Sequence, residues 1–346
     1  MDRAGIRSDF EKRLSSIWYG SEPDPAWLKG LAPVVHSASR FDRWLKNKRQ
    51  CKPLPGVCVV VVGNITAGGS GKTPLVIHLC HLFKKAGLVP GVVSRGYGRQ
   101  ERGMRLASPA SSPEVVGDEP LMIVRRTGVP VVVAANRCEA ARAILKKNVN
   151  VIISDDGLQH HRLPRDIEIC VIDASRGFGN GLLIPAGPLR EPVERLGTVD
   201  YVIVNDGSMS LPEDIDAHQM TMISGHLRSM EDAQAWRLSQ FAGCKVNAVA
   251  GIGNPDRFFR LLRKARIKVI EHAFADHYVY SESDFSSMDN NLPIVMTEKD
   301  AVKCTGLGLN NAWFLSVDAV LPHFWERQLV RQVLTKLQPG QGGNQA

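Results

Sequence analysis

The sequence predicts an α/β protein, with a mostly parallel sheet covered by helices on both faces and a second, smaller α/β domain behind it. Three observations carry that prediction. Short, continuous apolar runs alternate with helical stretches from residue 57 onward, the texture of strands buried on both sides. A glycine-rich loop joins the first run to an apolar helix. The alternation breaks at a polar stretch, 205–219, which reads as a linker, and then resumes. The 346 residues suffice for two such units, since domains average roughly 100–200 residues.

Residues 1–52 precede the alternation and hold eleven Lys/Arg against six Asp/Glu, so most of the chain's formal charge of +8 is N-terminal. A helix over 8–18 places Phe10, Leu14, Ile17 and Trp18 on one face. A second over 34–49 combines Phe41, Trp44 and Leu45 with Arg40, Arg43, Lys46, Lys48 and Arg49. Aromatic residues beside Lys and Arg suit a helix lying in a lipid headgroup layer; an ordinary amphipathic helix covering the core is the alternative. The positive balance by itself leaves nucleic acid, anionic lipid and a phosphorylated substrate open. No run approaches the ~18 consecutive apolar residues of a spanning helix. Charged residues interrupt the region where a secretory signal would be apolar, so a cytoplasmic protein is expected.

Apolar residues make up 44% and charged residues 23%, ordinary soluble usage that argues against a disordered or fibrous chain. The seven cysteines are odd in number, scattered and never in C-x-x-C spacing, so neither a disulfide framework nor a zinc site is expected. Cys58, Cys80 and Cys170 lie in apolar stretches and read as core residues.

Strands are expected over 57–62, 89–93, 129–134, 149–154, 168–172 and 201–204, completing a domain over 53–206. The second domain, 207–322, contains strands at 245–250, 268–273, 293–297 and 312–317 and a helix at 255–266. A last helix at 323–337 and a Gly/Gln-rich tail close the chain at 346.

The first strand runs into Gly63-Asn-Ile-Thr-Ala-Gly-Gly-Ser-Gly-Lys-Thr-Pro74 and then a helix with Leu75, Leu79, Leu82 and Phe83. Strand, glycine loop, Lys-Thr and helix are the context of a phosphate-binding loop, so the first domain is P-loop NTPase-like. Thr66, Ala67, Gly68, Gly69, Ser70, Gly71, Lys72 and Thr73 are the candidate nucleotide-binding residues. Glycines let successive backbone N–H groups point at an anion, Lys72 reaches the β- and γ-phosphates, and the Thr73 hydroxyl suits Mg²⁺. Thr66 stands where such loops usually carry their first glycine. Asp155 and Asp156, just past the strand at 149–154, are candidates to hold Mg²⁺ directly or through water. Neither an N-K-x-D base-reading motif nor a K-G-G-x-G-K-T loop is present, which favours a transferase over a switch.

These motifs, with Ser94-Arg-Gly-Tyr-Gly98, Gly117-Asp-Glu-Pro120, Asp155-Asp-Gly-Leu-Gln-His160, Gly187-Pro-Leu-Arg-Glu-Pro192, Gly251-Ile-Gly-Asn-Pro255, Phe274-Ala-Asp-His277 and Thr297-Glu-Lys-Asp300, resemble the tetraacyldisaccharide 4′-kinase family, in order over 63–300. The resemblance implies transfer of the ATP γ-phosphate to the 4′-hydroxyl of a tetraacyldisaccharide 1-phosphate, a lipid A precursor, forming lipid IVA. It implies ATP and Mg²⁺ as cofactors, a glycolipid substrate, and Asp118 as base assisted by His277. Asp156 with Glu191 would serve the metal, and Arg190 would face phosphate charge. Arg95, Tyr97, Gln159 and His160 are the further candidate substrate residues, Arg95 and Tyr97 with a turn-shaping role as the alternative.

Because Asp118 and His277 fall in different domains, the pair is expected to form when the domains close about a hinge after Val204. A monomer on the cytoplasmic face of the inner membrane is expected, held peripherally by Trp18, Trp27, Trp44 and basic residues, with no nucleic-acid partner. A membrane-associated P-loop ATPase switch without transferase activity is the alternative function. A nucleic-acid-stimulated ATPase is disfavoured because only 6% of the chain is aromatic.

Overall fold

The computed structural model describes residues 51–338 apart from 233, together with 14, 16–20, 30 and 35. The described residues form strands β1 (Cys58–Gly63), β2 (Pro90–Ser94), β3 (Arg105–Ala107), β4 (Val131–Val133), β5 (Val151–Asp155), β6 (Ile167–Asp173), β7 (Tyr201–Asn205), β8 (Ala217–Ser229), β9 (Ala235–Arg237), β10 (Lys245–Ala250), β11 (Lys268–Ala273), β12 (Ile294–Thr297) and β13 (Ala312–Val320). The helices are α1 (Lys72–Lys85), α2 (Pro113–Val116), α3 (Asp118–Thr127), α4 (Arg137–Leu145), α5 (Pro255–Lys264), α6 (Glu282–Ser286), α7 (Glu298–Lys303) and α8 (His323–Leu337).

In the first lobe the strands run in the order β3-β4-β2-β5-β1-β6-β7-β8, parallel except for the antiparallel edge strand β3. The central strand β1 is buried along its whole length. Its valines alternate between two cores, as the period of a strand requires. Val60 and Val62 meet Leu75, Leu79 and Phe83 of α1, Leu121 of α3 and Trp325 of α8. Val59 and Val61 face the side covered by Ala140, Ala141 and Ile144 of α4. Cys58, Cys80 and Cys170 are buried here as expected, and burial pushes their thiols up to about 12.

The second lobe is built on β13-β12-β10-β11, all parallel, with α5 packed against it and Phe258, Phe259 and Leu262 in its core. The two lobes share a strand: Ala217–Met220 of β8 pair in parallel with β7, and Thr221–Ser229 pair antiparallel with β13. The polar stretch read as a linker over 205–219 is therefore shorter than expected. Asn205 ends β7, and residues from Ala217 already belong to the strand that crosses between the sheets. The last helix begins at residue 323 as expected and returns to the first lobe, where Trp325, Leu329 and Val333 are buried.

Two expectations are corrected. Cys51 and Cys138, 87 residues apart, are joined by a disulfide, so spacing along the chain gave no sign of their proximity. Trp18 is taken up by the protein: its indole N–H donates to the Pro185 carbonyl at 3.1 Å, and it packs with Ile17 against Leu182 and Ala186. The other two candidate anchors, Trp27 and Trp44, and most of the two expected N-terminal helices lie outside the described residues. Among the described residues no helix is long and apolar enough to cross a membrane.

Candidate active site

In an open parallel sheet, ligand groups gather beyond the carboxyl ends of the strands. The loop from Gly63 to α1 lies at the end of β1 and is held from outside. Thr66 forms an isolated antiparallel bridge with Leu189, the Ala67 N–H donates to Pro188 at 2.7 Å, and the Arg190 N–H donates to Ile65 at 2.7 Å. That bridge accounts for Thr66 in place of a glycine: the position is extended and buried, at 7% exposure. Glycine is required two residues on. Gly68 has φ +106°, and a Cβ there would sit 2.8 Å from the Arg176 guanidinium. Gly71 has φ +90° and packs on Asn205, whose amide donates to the Ser70 carbonyl at 3.1 Å.

Lys72 opens α1, and its ammonium lies 3.4 Å from Asp156 Oδ1. Arg190 Nη1 reaches the same carboxylate at 3.2 Å and 3.3 Å. Burial raises the Asp156 pKa, but the Lys72 and Arg190 charges outweigh it and hold the carboxyl at about 2. The backbone of Asp156 is left-handed, φ 48°, the kind of local strain that recurs at functional sites.

Asp155, one residue earlier, is held quite differently. It is 1% exposed, accepts from the Ser94 hydroxyl at 3.1 Å through Oδ2, and has no hydrogen-bond partner on Oδ1. Burial, with the charges of Glu119 and Asp156, pushes it up to about 7. The unpartnered buried oxygen of Asp155, the Asp156 carboxylate and the Thr73 hydroxyl are all oxygen donors, a chemistry that fits a hard cation such as Mg²⁺. Among the described residues no cluster of three or more His, Cys, Asp or Glu could hold a metal unaided. P-loop Mg²⁺ sites do not need one, because phosphate oxygens and a hydroxyl complete the shell.

Glu191 is expected to serve the metal with Asp156. It is 1% exposed, accepts from Gln159 Nε2 at 2.7 Å and lies 3.4 Å from Arg195 Nε. Gln159 also donates to the Asn64 carbonyl at 3.0 Å, so the Gln159–Glu191 contact ties the loop after β5 to the start of the phosphate loop. His160 contributes its carbonyl to Arg165 at 2.6 Å, which folds the same loop back.

Asp118 and His277 meet. His277 Nδ1 lies 3.0 Å from Asp118 Oδ2, although the two residues are 159 apart in sequence. Asp118 opens α3, and Glu119 donates its backbone N–H to Asp118 Oδ1 at 3.0 Å. Gly117, φ +93°, lets α3 begin against the 94–98 loop: a Cβ there would be 3.0 Å from Gly96 Cα. That loop delivers Tyr97, half-exposed, with its ring 4.8 Å from the His277 imidazole. Arg95 beside it is exposed. Burial raises the Asp118 pKa, but the His277 hydrogen bond and the Lys299 charge bring it down to about 2.

The second lobe also approaches the phosphate loop. Arg176 donates to the Gly253 carbonyl, and a Cβ on Gly253 would be 3.7 Å from the Gly69 nitrogen. Gly251 and Gly253 thus serve a close strand-to-helix turn against the phosphate loop. Arg126 of α3 pairs with Glu298 at 2.8 Å and with Asp318, clamping the lobes together on the other side.

The structure therefore gathers two sets of expected residues: the phosphate loop with Asp155, Asp156 and Arg190, and Asp118 with His277 and Tyr97. Residues 26–338 match the family model described as tetraacyldisaccharide-1-P 4′-kinase. A tetraacyldisaccharide 4′-kinase of Xanthomonas axonopodis pv. citri (strain 306) is 44% identical over 346 residues, covering 95% of this chain and 98% of the relative. One from Shewanella piezotolerans (strain WP3 / JCM 13877) is 47% identical over 326 residues, covering 92% and 96%. A crystal structure of LpxK from Aquifex aeolicus in complex with ATP superposes with a TM-score of 0.70 at 27% identity, covering 89% of this chain and 97% of that one. The chain belongs to the tetraacyldisaccharide-1-phosphate 4′-kinase family.

Proposed function

We propose that this chain transfers the γ-phosphate of ATP to the 4′-hydroxyl of a tetraacyldisaccharide 1-phosphate, giving ADP and lipid IVA. The observation that carries this reading is the Asp118–His277 pair, made by residues from two lobes. Binding a nucleotide to change partners needs no base, whereas transfer to a sugar hydroxyl uses one to take the hydroxyl proton. Kinases depend chiefly on positioning and charge neutralisation. The loop N–H groups and Lys72 take the phosphates, and Arg190 faces their charge. Asp118 accepts the proton of the attacking 4′-hydroxyl as the oxygen–phosphorus bond forms and the bond to ADP breaks. His277 orients that carboxylate. Tyr97, Arg95 and His160 lie on the acceptor side, and Gln159 and Glu191 hold the loop that carries Asp156.

Thr73, Asp155 and Asp156 are the groups to hold Mg²⁺. Held by these residues, Mg²⁺ would supply positive charge against the charge that develops on the transferring phosphoryl group. Labelled ATP with a tetraacylated disaccharide 1-phosphate in detergent micelles tests the reading: label is expected in the glycolipid. No transfer to any glycolipid would sink it.

We also propose that the basic N-terminal segment rests on an anionic bilayer, at the cytoplasmic face of the inner membrane. Its charge of +5 over residues 1–52 supports this, since each Lys or Arg near such a surface contributes about 1 kcal/mol and salt screens it. Flotation with phosphatidylglycerol-containing liposomes is expected at low salt and is expected to weaken steeply at high salt. Equal flotation with neutral vesicles would contradict an electrostatic association.

A further inference from the structure

The carboxylates around Asp118 carry more negative charge than one histidine balances, and a lysine fills the space between them. Lys299 of α7 places Nζ 3.1 Å from Asp276 Oδ1, 3.4 Å from Glu119 Oε1, 3.4 Å from His277 Nε2 and 3.7 Å from Asp118 Oδ2. Its side chain is 16% exposed. Burial works against its charge, but Glu119, Asp118 and Asp276 together hold its pKa above the ordinary lysine value.

An ammonium has three donors and no acceptor. Facing His277 Nε2 it donates, so Nε2 is the accepting nitrogen and the ring proton sits on Nδ1, the side that meets Asp118. The lysine is also presented from a fixed platform. Asp300, its neighbour, is fully buried and accepts from the Gly251 N–H at 2.9 Å, Thr297 Oγ1 at 2.6 Å and the Tyr280 hydroxyl at 3.0 Å, with Lys303 Nζ 2.7 Å away. Three carboxylates this close, without a cation, would force one of them to take up a proton.

We propose that Lys299 is the resident cation of the Asp118–His277 pair. It is a positioning residue that fixes His277 as its Nδ1-protonated, neutral tautomer and keeps Asp118 an ionised base. This rests on the reading of Asp118 as the base.

The test compares steady-state transfer by Lys299→Met, Asp118→Asn and Arg126→Met across pH. Arg126 also clamps α3 to α7, through Glu298, but does not touch the pair. Lys299→Met is expected to lower kcat by about 10²-fold, the scale of a misplaced reacting group, with KM for ATP unchanged. The sign of the pH effect follows from the charges facing Asp118. Burial raises its pKa, while the His277 hydrogen bond and the Lys299 and Lys303 charges lower it. Removing one cation moves the acid limb of the rate profile to higher pH. Adding methylamine is expected to restore part of the activity of Lys299→Ala, and Arg126→Met is expected to keep the wild-type acid limb. A Lys299→Met loss with an unmoved acid limb, matched by Arg126→Met, makes Lys299 a lobe clamp and overturns the proposal. Full activity of Lys299→Met beside an inactive Asp118→Asn overturns this proposal alone. Full activity of Asp118→Asn removes the base, and the proposal with it.

Discussion

Replacing Asp118 by asparagine is expected to lower kcat for glycolipid phosphorylation by about 10²–10⁴-fold, the usual contribution of a positioned base. ATP binding is expected to survive, because Asp118 belongs to α3 and not to the phosphate loop. Asparagine keeps the size of the side chain and an oxygen for the Glu119 N–H, so the change removes proton acceptance and little else. His277→Ala is expected to cost less, up to about 10²-fold, because it loosens the carboxylate without removing it. The measurement is single-turnover transfer with ATP saturating and ATP affinity determined separately. Wild-type turnover by Asp118→Asn would mean that the hydroxyl proton leaves by another route.

The second large effect is expected at Lys72. Its ammonium stands at the mouth of the loop, 3.4 Å from Asp156, and in the proposed reaction it would meet phosphate oxygens as their charge shifts toward ADP. Lys72→Ala is expected to reduce kcat by about 10²–10³-fold, the cost of one preorganised charge-stabilising group. Arginine is not expected to rescue it, because the wide guanidinium cannot replace a compact ammonium in a glycine nest. The fold is expected to persist, since Arg190 remains to pair with Asp156. Thermal melts alongside the kinetics separate the two effects. A Lys72→Ala protein that melts normally and turns over normally would contradict the assigned role of the loop.

Much of the first lobe was legible because its strands are apolar throughout. β1, β2, β5, β6 and β7 fall within a residue or two of their expected places, as continuous Val/Ile runs in a parallel sheet must. The strands that escaped are the ones that lack that texture. β3 is a short edge with two exposed residues, and β8, Ala217–Ser229, mixes polar and apolar positions and is mostly exposed or half-buried, with only Met220 and Leu227 buried. The disulfide and the capture of Trp18 by Pro185 escaped for a different reason: both depend on distant segments that sequence spacing does not encode.

The site divides in the same way. The phosphate loop was legible because glycines, Lys72 and Thr73 stand together in the chain. Asp118 and His277 were named through family resemblance, since no local pattern joins residues of different lobes. Lys299 stood inside a quoted motif, yet its meaning depends on Asp118, Glu119, Asp276 and His277 converging on it. Asp155 and Asp156 are adjacent in sequence and differ in environment, one buried with its pKa at about 7 and the other held at about 2 by Lys72 and Arg190.

The central claim is that the two-lobed Asp118 site moves phosphate to a sugar hydroxyl and does not simply hydrolyse ATP. The most direct measurement is the ratio of phosphorylated glycolipid to ADP formed, with the position of the new phosphate read by NMR on the purified product. One 4′-phosphate per ADP is the expected result, with the ratio kept by wild type and both products lost together in Asp118→Asn. ADP released without glycolipid phosphate, at a rate unchanged by Asp118→Asn, would show a hydrolytic switch and contradict the account.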